Sequence, residues 1–200
     1  GGHSEISAYV KRPVFSVTVF GNRKCFISDN TKAYGQDIIM TGYAASEATR
    51  VMTALCRKKL EERFAPLYIE KAAEYTCELS VIKHMETARQ NNAAWMHDLS
   101  ETGVFGGLWE LGEKLHAGME IDLKKIPIRQ ETIEFSEYMT CNPYTVPSLG
   151  AALITAEDGN GLVRELERQG IPAVVIGKIT EGKDRVLVHH EERRYLEQPR

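Results

Sequence analysis

The densest chemistry in the chain lies in one stretch, HDLSETGVFGGLWEL, positions 97–111. His97 and Asp98 close a short apolar run. Ser100 and Thr102 offer hydroxyls, and Glu101 offers a carboxylate. Gly103, Gly106 and Gly107 then crowd the start of the helix-forming run LWELGEKLHAG. Each interior glycine costs a helix ~1 kcal/mol relative to alanine, so three together need a reason. The order strand, tight polar turn, helix leaves free backbone N–H groups at the helix N-terminus, where an anion is favoured. Glycine lets that backbone approach a ligand with no Cβ between them. The hydroxyls of Ser100 and Thr102 can donate to phosphate oxygens. Asp98 can hold a magnesium ion or accept a bond from a ligand hydroxyl. His97 suits acid–base work, because a histidine side chain ordinarily titrates at about 6.5; a hydrogen-bonded structural histidine is the other reading. The turn as a whole also has a structural reading, in which Ser100 caps the helix and Gly106-Gly107 let it pack tightly. The spacing is neither G-x-G-x-x-G nor G-x-x-x-x-G-K-[ST], so neither standard nucleotide motif applies.

Such residues need a scaffold, and hydrophobic periodicity outlines one. RPVFSVTVFGN alternates and is rich in Val and Phe, which predicts a strand over 13–20 and a turn at Gly21-Asn22. KCFISDN predicts a second strand over 24–30, and DIIMTG a buried strand over 37–42. Ser46 is the expected N-cap of a helix over 47–63, with Val51, Met52, Leu55 and Cys56 on one face. Further helices are expected over 66–75 and 79–91. AAWMHDLS reads as a strand over 93–100, followed by the glycine turn and a helix over 105–117. MEIDLKKIPI alternates as a strand over 119–128, ETIEFSEYMT reads as a helix over 131–140, and NPYTVPS is a loop with two prolines. LGAALITA is a buried strand over 149–156. A helix entering near 159 ends at Gly170, a good C-cap. IPAVVIGKITEG and DRVLVHH (184–190) are the last strands, and the tail EERRYLEQPR is expected to be charged and exposed. Interleaved strands and helices predict an α/β (α+β layered) domain with helices packed on a sheet. The all-strand opening sets residues 1–34 apart from 35–200.

Composition narrows the functional classes. The chain has 200 residues, 42% hydrophobic and 26% charged, with a formal net charge of −3. That is ordinary for a globular domain and argues against a nucleic-acid surface. No apolar run approaches the ~18 residues of a membrane span, and no signal peptide is visible. A cytoplasmic protein is expected. Cys25, Cys56, Cys77 and Cys141 show no C-x-x-C spacing and read as reduced thiols. His189-His190 lacks a third ligand at a helpful spacing, so no metal site is expected there. Trp95 and Trp109 read as core residues.

Several segments, in order, resemble the aminoimidazole ribonucleotide (AIR) synthase-related superfamily. WMHDLSETGVFGGLWELGEKLHAGMEIDLKKIPI is similar to the family's strand ending in His-Asp-x-[ST]-x-GG, its helix, and its following "EID…IPI" strand. GGHSEIS with RPVFSVTVFG resembles the end of the family's N-terminal domain. DIIMTGYAASEATRVM resembles the opening of its C-terminal domain. NPYTVPSLGAALITAEDGNGLVRELERQGIPAVVIGKITEG resembles its closing strand–helix–strand unit. The pattern is nearest to HypE-like hydrogenase maturation factors. In this chain Glu101-Thr102-Gly103 intervenes, so the paired glycines arrive later than in the family pattern.

The resemblance implies a mixed sheet with packed helices, preceded by a strand stub of an ATP-binding N-terminal domain. It implies ATP and magnesium, phosphoryl transfer that activates a small-molecule or peptidic acceptor, and a homodimer. Asp98 and His97 are the expected catalytic residues. Glu5, Ser100, Thr102, Gly103, Gly106 and Gly107 are the expected cofactor-binding ones. Residues 1–200 are expected to lack most of an ATP site. The thiocyanate chemistry of a C-terminal cysteine is not expected, because no cysteine follows Cys141. The alternative is a non-catalytic module that dimerises or docks on a maturation partner.

Overall fold

The computed structural model describes residues 3–6, 8–20, 33–74 and 79–198. Its centre is a seven-stranded mixed sheet in the order β2-β4-β1-β5-β3-β6-β7. The strands are β1 (Asp37–Thr41), β2 (Trp95–Asp98), β3 (Gly118–Asp122), β4 (Ala152–Ala156), β5 (Ala173–Thr180), β6 (Arg185–His189) and β7 (Glu192–Tyr195). Every neighbouring pair is antiparallel except β3–β6, which is parallel.

Strand β1 is fully apolar through Ile38, Ile39 and Met40 because both of its faces are covered. Side chains alternate across a strand, so Ile38 and Met40 enter one core while Ile39 enters another. The first core lies under helix α5 (Gly103–Leu115), whose Val104, Leu108 and Leu111 meet Leu153, Ile121 and Leu187. The second lies under α4 (Ile82–Gln90) and α7 (Gly159–Arg168). Helix α7 buries Leu162 and Leu166, starts on Asp158, whose Oδ1 accepts from Gly161 N–H at 2.8 Å, and is followed by Gly170 at φ +75°. A third cluster joins α1 (Ser46–Leu55), α2 (Arg57–Leu60), α3 (Pro66–Glu74) and α6 (Gln130–Tyr138) around Phe135. Phe135 is fully buried and meets Phe64 edge-on at 4.9 Å.

Several sequence expectations need correction. Residues 13–20 form no strand: Val14, Phe15, Val17, Val19 and Phe20 are exposed, and no strand among the described residues pairs with them. A strand is stable only when its backbone groups find a ladder partner. The strand expected over 24–30 lies outside the described residues. The helix expected over 47–63 breaks at Cys56, whose backbone leaves the helical region, and α2 then turns Leu60 into the Phe135 cluster. Ser46 is not a cap; Ala45 holds that place at φ 55°, and the Ser46 hydroxyl donates to Tyr43 O at 3.2 Å. The expected strand 119–128 stops at Asp122. There the Asp122 carboxylate accepts from Lys124 N–H at 3.0 Å and starts a 3-10 turn over Leu123–Lys125. The tail is not merely exposed. Its residues 192–195 form β7, and buried Leu196 donates its N–H to Arg185 O at 2.8 Å.

Trp109 is half-buried rather than enclosed. The Arg185 guanidinium stacks on it at 4.1 Å and donates to Glu113, in space that a side chain at Gly112 would fill. That bond holds the Glu113 carboxyl below its ordinary value of 4.5. A carboxyl lowered by folding stabilises the fold above its unfolded pKa, and the gain is lost as pH falls through the folded value. Glu113→Gln should therefore flatten the acid side of the melting-temperature profile below about 4.5. The change should be small, because the Glu113 side chain is 65% exposed. Phe135→Ala should cost about 3–5 kcal/mol in urea unfolding.

Candidate functional site

Strand β2 and helix α5 position the residues that open the sequence argument. His97 shares a face with Leu99, and its Nε2–H donates to Glu110 Oε2 on α5 at 2.8 Å. Asp98, one residue on, points to the opposite face and is exposed. The two therefore do not form a pair. The turn that follows is held by backbone. Leu99 N–H donates to Ala151 O, and Ser100 O accepts from both Gly103 N–H and Ser148 N–H, at 3.1 and 3.2 Å. The N-cap of α5 is Thr102, with no side-chain cap bond, so Ser100 does not cap the helix.

Each of the three glycines makes room for the protein's own atoms. Gly103 sits at φ +64°, and a Cβ there would lie 2.6 Å from Val146 O and 2.8 Å from Tyr144 O. At Gly106 a Cβ would run into the Thr102 side chain, and at Gly107 into Leu99. The α5 N-terminus is likewise partly satisfied from within, since Phe105 N–H donates to Tyr144 O at 3.0 Å. The rings of Phe105 and Tyr144 stack, 5.0 Å apart and 8° from parallel. Loop 142–150 is rigid for a reason: Tyr144 N–H donates to Asn142 Oδ1, Ser148 Oγ donates to Val146 O, and Ala45 N–H donates to Ser148 Oγ.

Two cavities flank this ring pair. The first, about 520 Å³, opens at the start of α5. Glu101, Thr102 and Gly106 line it from α5, Asn142 and Thr145 from the loop, and Arg194 to Gln198 from the tail. The second, about 640 Å³, lies between the 3-10 turn and the β6–β7 hairpin, with Tyr144 as a wall. Arg194 and Leu187 border both. Burial raises the Tyr144 pKa and nearby Arg194 opposes the shift, so the phenol stays protonated at neutral pH. Of the expected site residues, Thr102 and Gly106 line the first cavity. Asp98, His97, Ser100, Gly103, Gly107 and Glu5 line neither; Glu5 is exposed in the segment before residue 20. Sequence reasoning did not select Arg194. Among the described residues no group of three or more His, Cys, Asp or Glu could hold a metal ion.

A mixed sheet covered by helices, with a glycine turn and a polar cleft at the start of α5, defines a layered α/β domain. Residues 35–190 match the family described as AIR synthase related protein, C-terminal domain, and the chain belongs to that family. The phosphoribosylformylglycinamidine synthase subunit PurL of Limosilactobacillus fermentum is 29% identical over 107 residues, which are 51% of this chain and 14% of that protein. Escherichia coli HypE, a hydrogenase maturation protein, superposes with a TM-score of 0.70 at 16% identity, over 86% of this chain and 52% of HypE. A HypE solved in complex with ATP gives 0.62 at 13% identity, over 86% and 52%. The chain thus spans about half the length of these solved structures.

Gly103→Ala should destabilise the domain by more than about 2 kcal/mol, because it adds left-handed strain to a clash with backbone carbonyls. Urea unfolding measures the loss. An unchanged midpoint would show that the 142–150 loop yields.

Proposed function

We propose that this chain is the substrate-side domain of an ATP-dependent enzyme of the AIR synthase-related type. That enzyme activates a small-molecule or peptidic acceptor by phosphoryl transfer. The observation that carries the reading is the cleft at the start of α5, in a domain of this family, lined by the hydroxyl- and amide-bearing side chains Thr102, Thr145 and Asn142. The complex of HypE with ATP supports the choice of nucleotide. Residues 1–34 would be the end of the ATP-binding domain. The metal fit is poor on this chain alone, because its described residues hold no cluster of ligating side chains. The magnesium ligands are therefore assigned to the rest of the enzyme. In the transfer the acceptor oxygen attacks the γ-phosphorus, ADP leaves, and the acceptor proton passes to a base. Asp98, exposed at the end of β2 and not lining the cleft, is the proposed base on the family resemblance alone. His97, held by Glu110, is a second acid–base candidate. Thr102 and Gly106, which line the cleft, would orient the phosphoryl acceptor. A homodimer and a cytoplasmic setting belong to the same proposal.

A second reading, a non-catalytic module that dimerises or docks on a partner, is favoured by the exposed apolar run from Val14 to Phe20. Calorimetry with Mg-ATP separates the two. The first reading expects no binding to residues 1–200 and binding to a version extended upstream in the parent gene. Absence of binding in both favours the docking module. Binding to the short chain alone would contradict the division of the site. In the intact parent, Asp98→Ala should abolish turnover and leave the melting temperature nearly unchanged, since the side chain is exposed. Wild-type turnover in that variant would remove Asp98 from the mechanism.

A further inference from the structure

The two cavities differ in charge. The α5 cleft carries the carboxylates Glu101 and Glu197 against the single cation Arg194. The second cavity carries Lys124 and Arg194 against Glu192. Arg193 also borders it, but Arg193 is the β7 partner of Val188 and its guanidinium is bound to Glu120 Oε2 at 2.6 Å. Arg194 is the β7 partner of Leu187, so the two share the face that meets the main core. Arg194 is exposed, yet it lines the cavity beside the half-buried Tyr144. Among the described residues its guanidinium forms no salt bridge and no hydrogen bond. Among the described residues the Lys124 ammonium meets the His190 ring alone, at 3.2 Å. Leu123, Ile126, Ile128 and Leu187 make an apolar wall, with His189 at the hairpin side. At about 640 Å³ the cavity falls in the range of small-molecule sites, roughly 300–1,000 Å³.

We propose that the cavity between the 3-10 turn and the β6–β7 hairpin binds the anionic group, a phosphate or carboxylate, of an organic acceptor. Arg194 is its forked donor and Lys124 a second charge. The apolar wall takes the adjoining carbon skeleton. The stacked Phe105 and Tyr144 rings stand between this compartment and the acid-lined α5 cleft. They divide an anionic end of the ligand from an uncharged or donor-bearing end that lies near Thr102. The inference rests on the reading of the α5 cleft as the reacting compartment, but the anion site can be measured without it.

The probe is phenyl phosphate, titrated into the 200-residue chain and followed by NMR at the Arg194 Nε–H and the Tyr144 ring. Both resonances should shift and saturate. Arg194→Gln should weaken binding at least about tenfold, the loss of one charge-assisted contact. Arg194→Lys should keep part of the affinity. Arg193→Gln, with its charge on the other face, should change affinity less than about threefold. Benzyl alcohol, which has the ring and lacks the charge, should bind far more weakly. Wild-type affinity in Arg194→Gln, or equal binding of benzyl alcohol, overturns the proposal. Because Arg194 is exposed and unpaired, the variant should melt with the wild type, so lost binding is not lost folding. Absence of shifts at Arg194 overturns the anion site and leaves the ATP reading standing. Saturable shifts at Arg194, with no Mg-ATP binding to the extended protein, support the anion site and remove only the ATP reading.

Discussion

The structure of the site depends on one close approach. The α5 N-terminal turn meets loop 142–150 at Gly103, which sits at φ +64° with the carbonyls of Val146 and Tyr144 where a side chain would be. That approach lets Phe105 N–H reach Tyr144 O and lets the two rings stack. The same loop is tied to the start of α1 through Ser148 and Ala45. One glycine thus joins three elements that are distant in sequence. The cavities on either side of the ring pair exist because that junction holds. The glycine-rich turn answers first to packing, and the cleft is what the packing leaves open beside it.

The sheet positions this junction. Strands β1 and β4 lie side by side in it, next to β2, and are buried on both faces, which fixes where β2 ends and α5 begins. Buried apolar residues on two sides leave no alternative register, since a slip by one residue would exchange the two cores. Helix α5 can lie close on this surface because Gly107 admits the Leu99 side chain. Gly112 does the same for Arg185, whose guanidinium covers Trp109 and binds Glu113. The far end of α5 is thereby linked to β6, and β6 carries the hairpin that walls the second cavity.

Much of this was legible in the sequence, for identifiable reasons. The strands DIIMT and ALITA show as apolar runs because both of their faces are buried. Helix α7 shows because Asp158 caps it, Leu162 and Leu166 repeat at helical spacing, and Gly170 stops it. The glycine turn stood out by composition, and the motifs around it identified the family. Strand β7 gave no signal, because all four of its side chains are exposed and its residues read as a charged tail. The break at Cys56 and the Ala45 cap arise from tertiary packing around Phe135, which no local pattern reports. Residues 13–20 have strand composition but pair with no strand among the described residues. Within the site, Thr102 and Gly106 could be found by their types. Arg194 could not, because only the pairing of β7 with β6 brings it beside the 142–150 loop. A sequence in one dimension carries no record of that juxtaposition.

The central claim is that the cleft at the start of α5 faces the reaction. Backbone NMR of these residues within the extended parent protein, on adding a non-hydrolysable Mg-ATP analogue, tests it most directly. The account predicts that the largest amide shifts fall at Thr102, Gly106, Asn142 and Thr145, around the mouth of the first cavity. Saturable binding with those amides unmoved, and shifts confined to other faces of the domain, would contradict it.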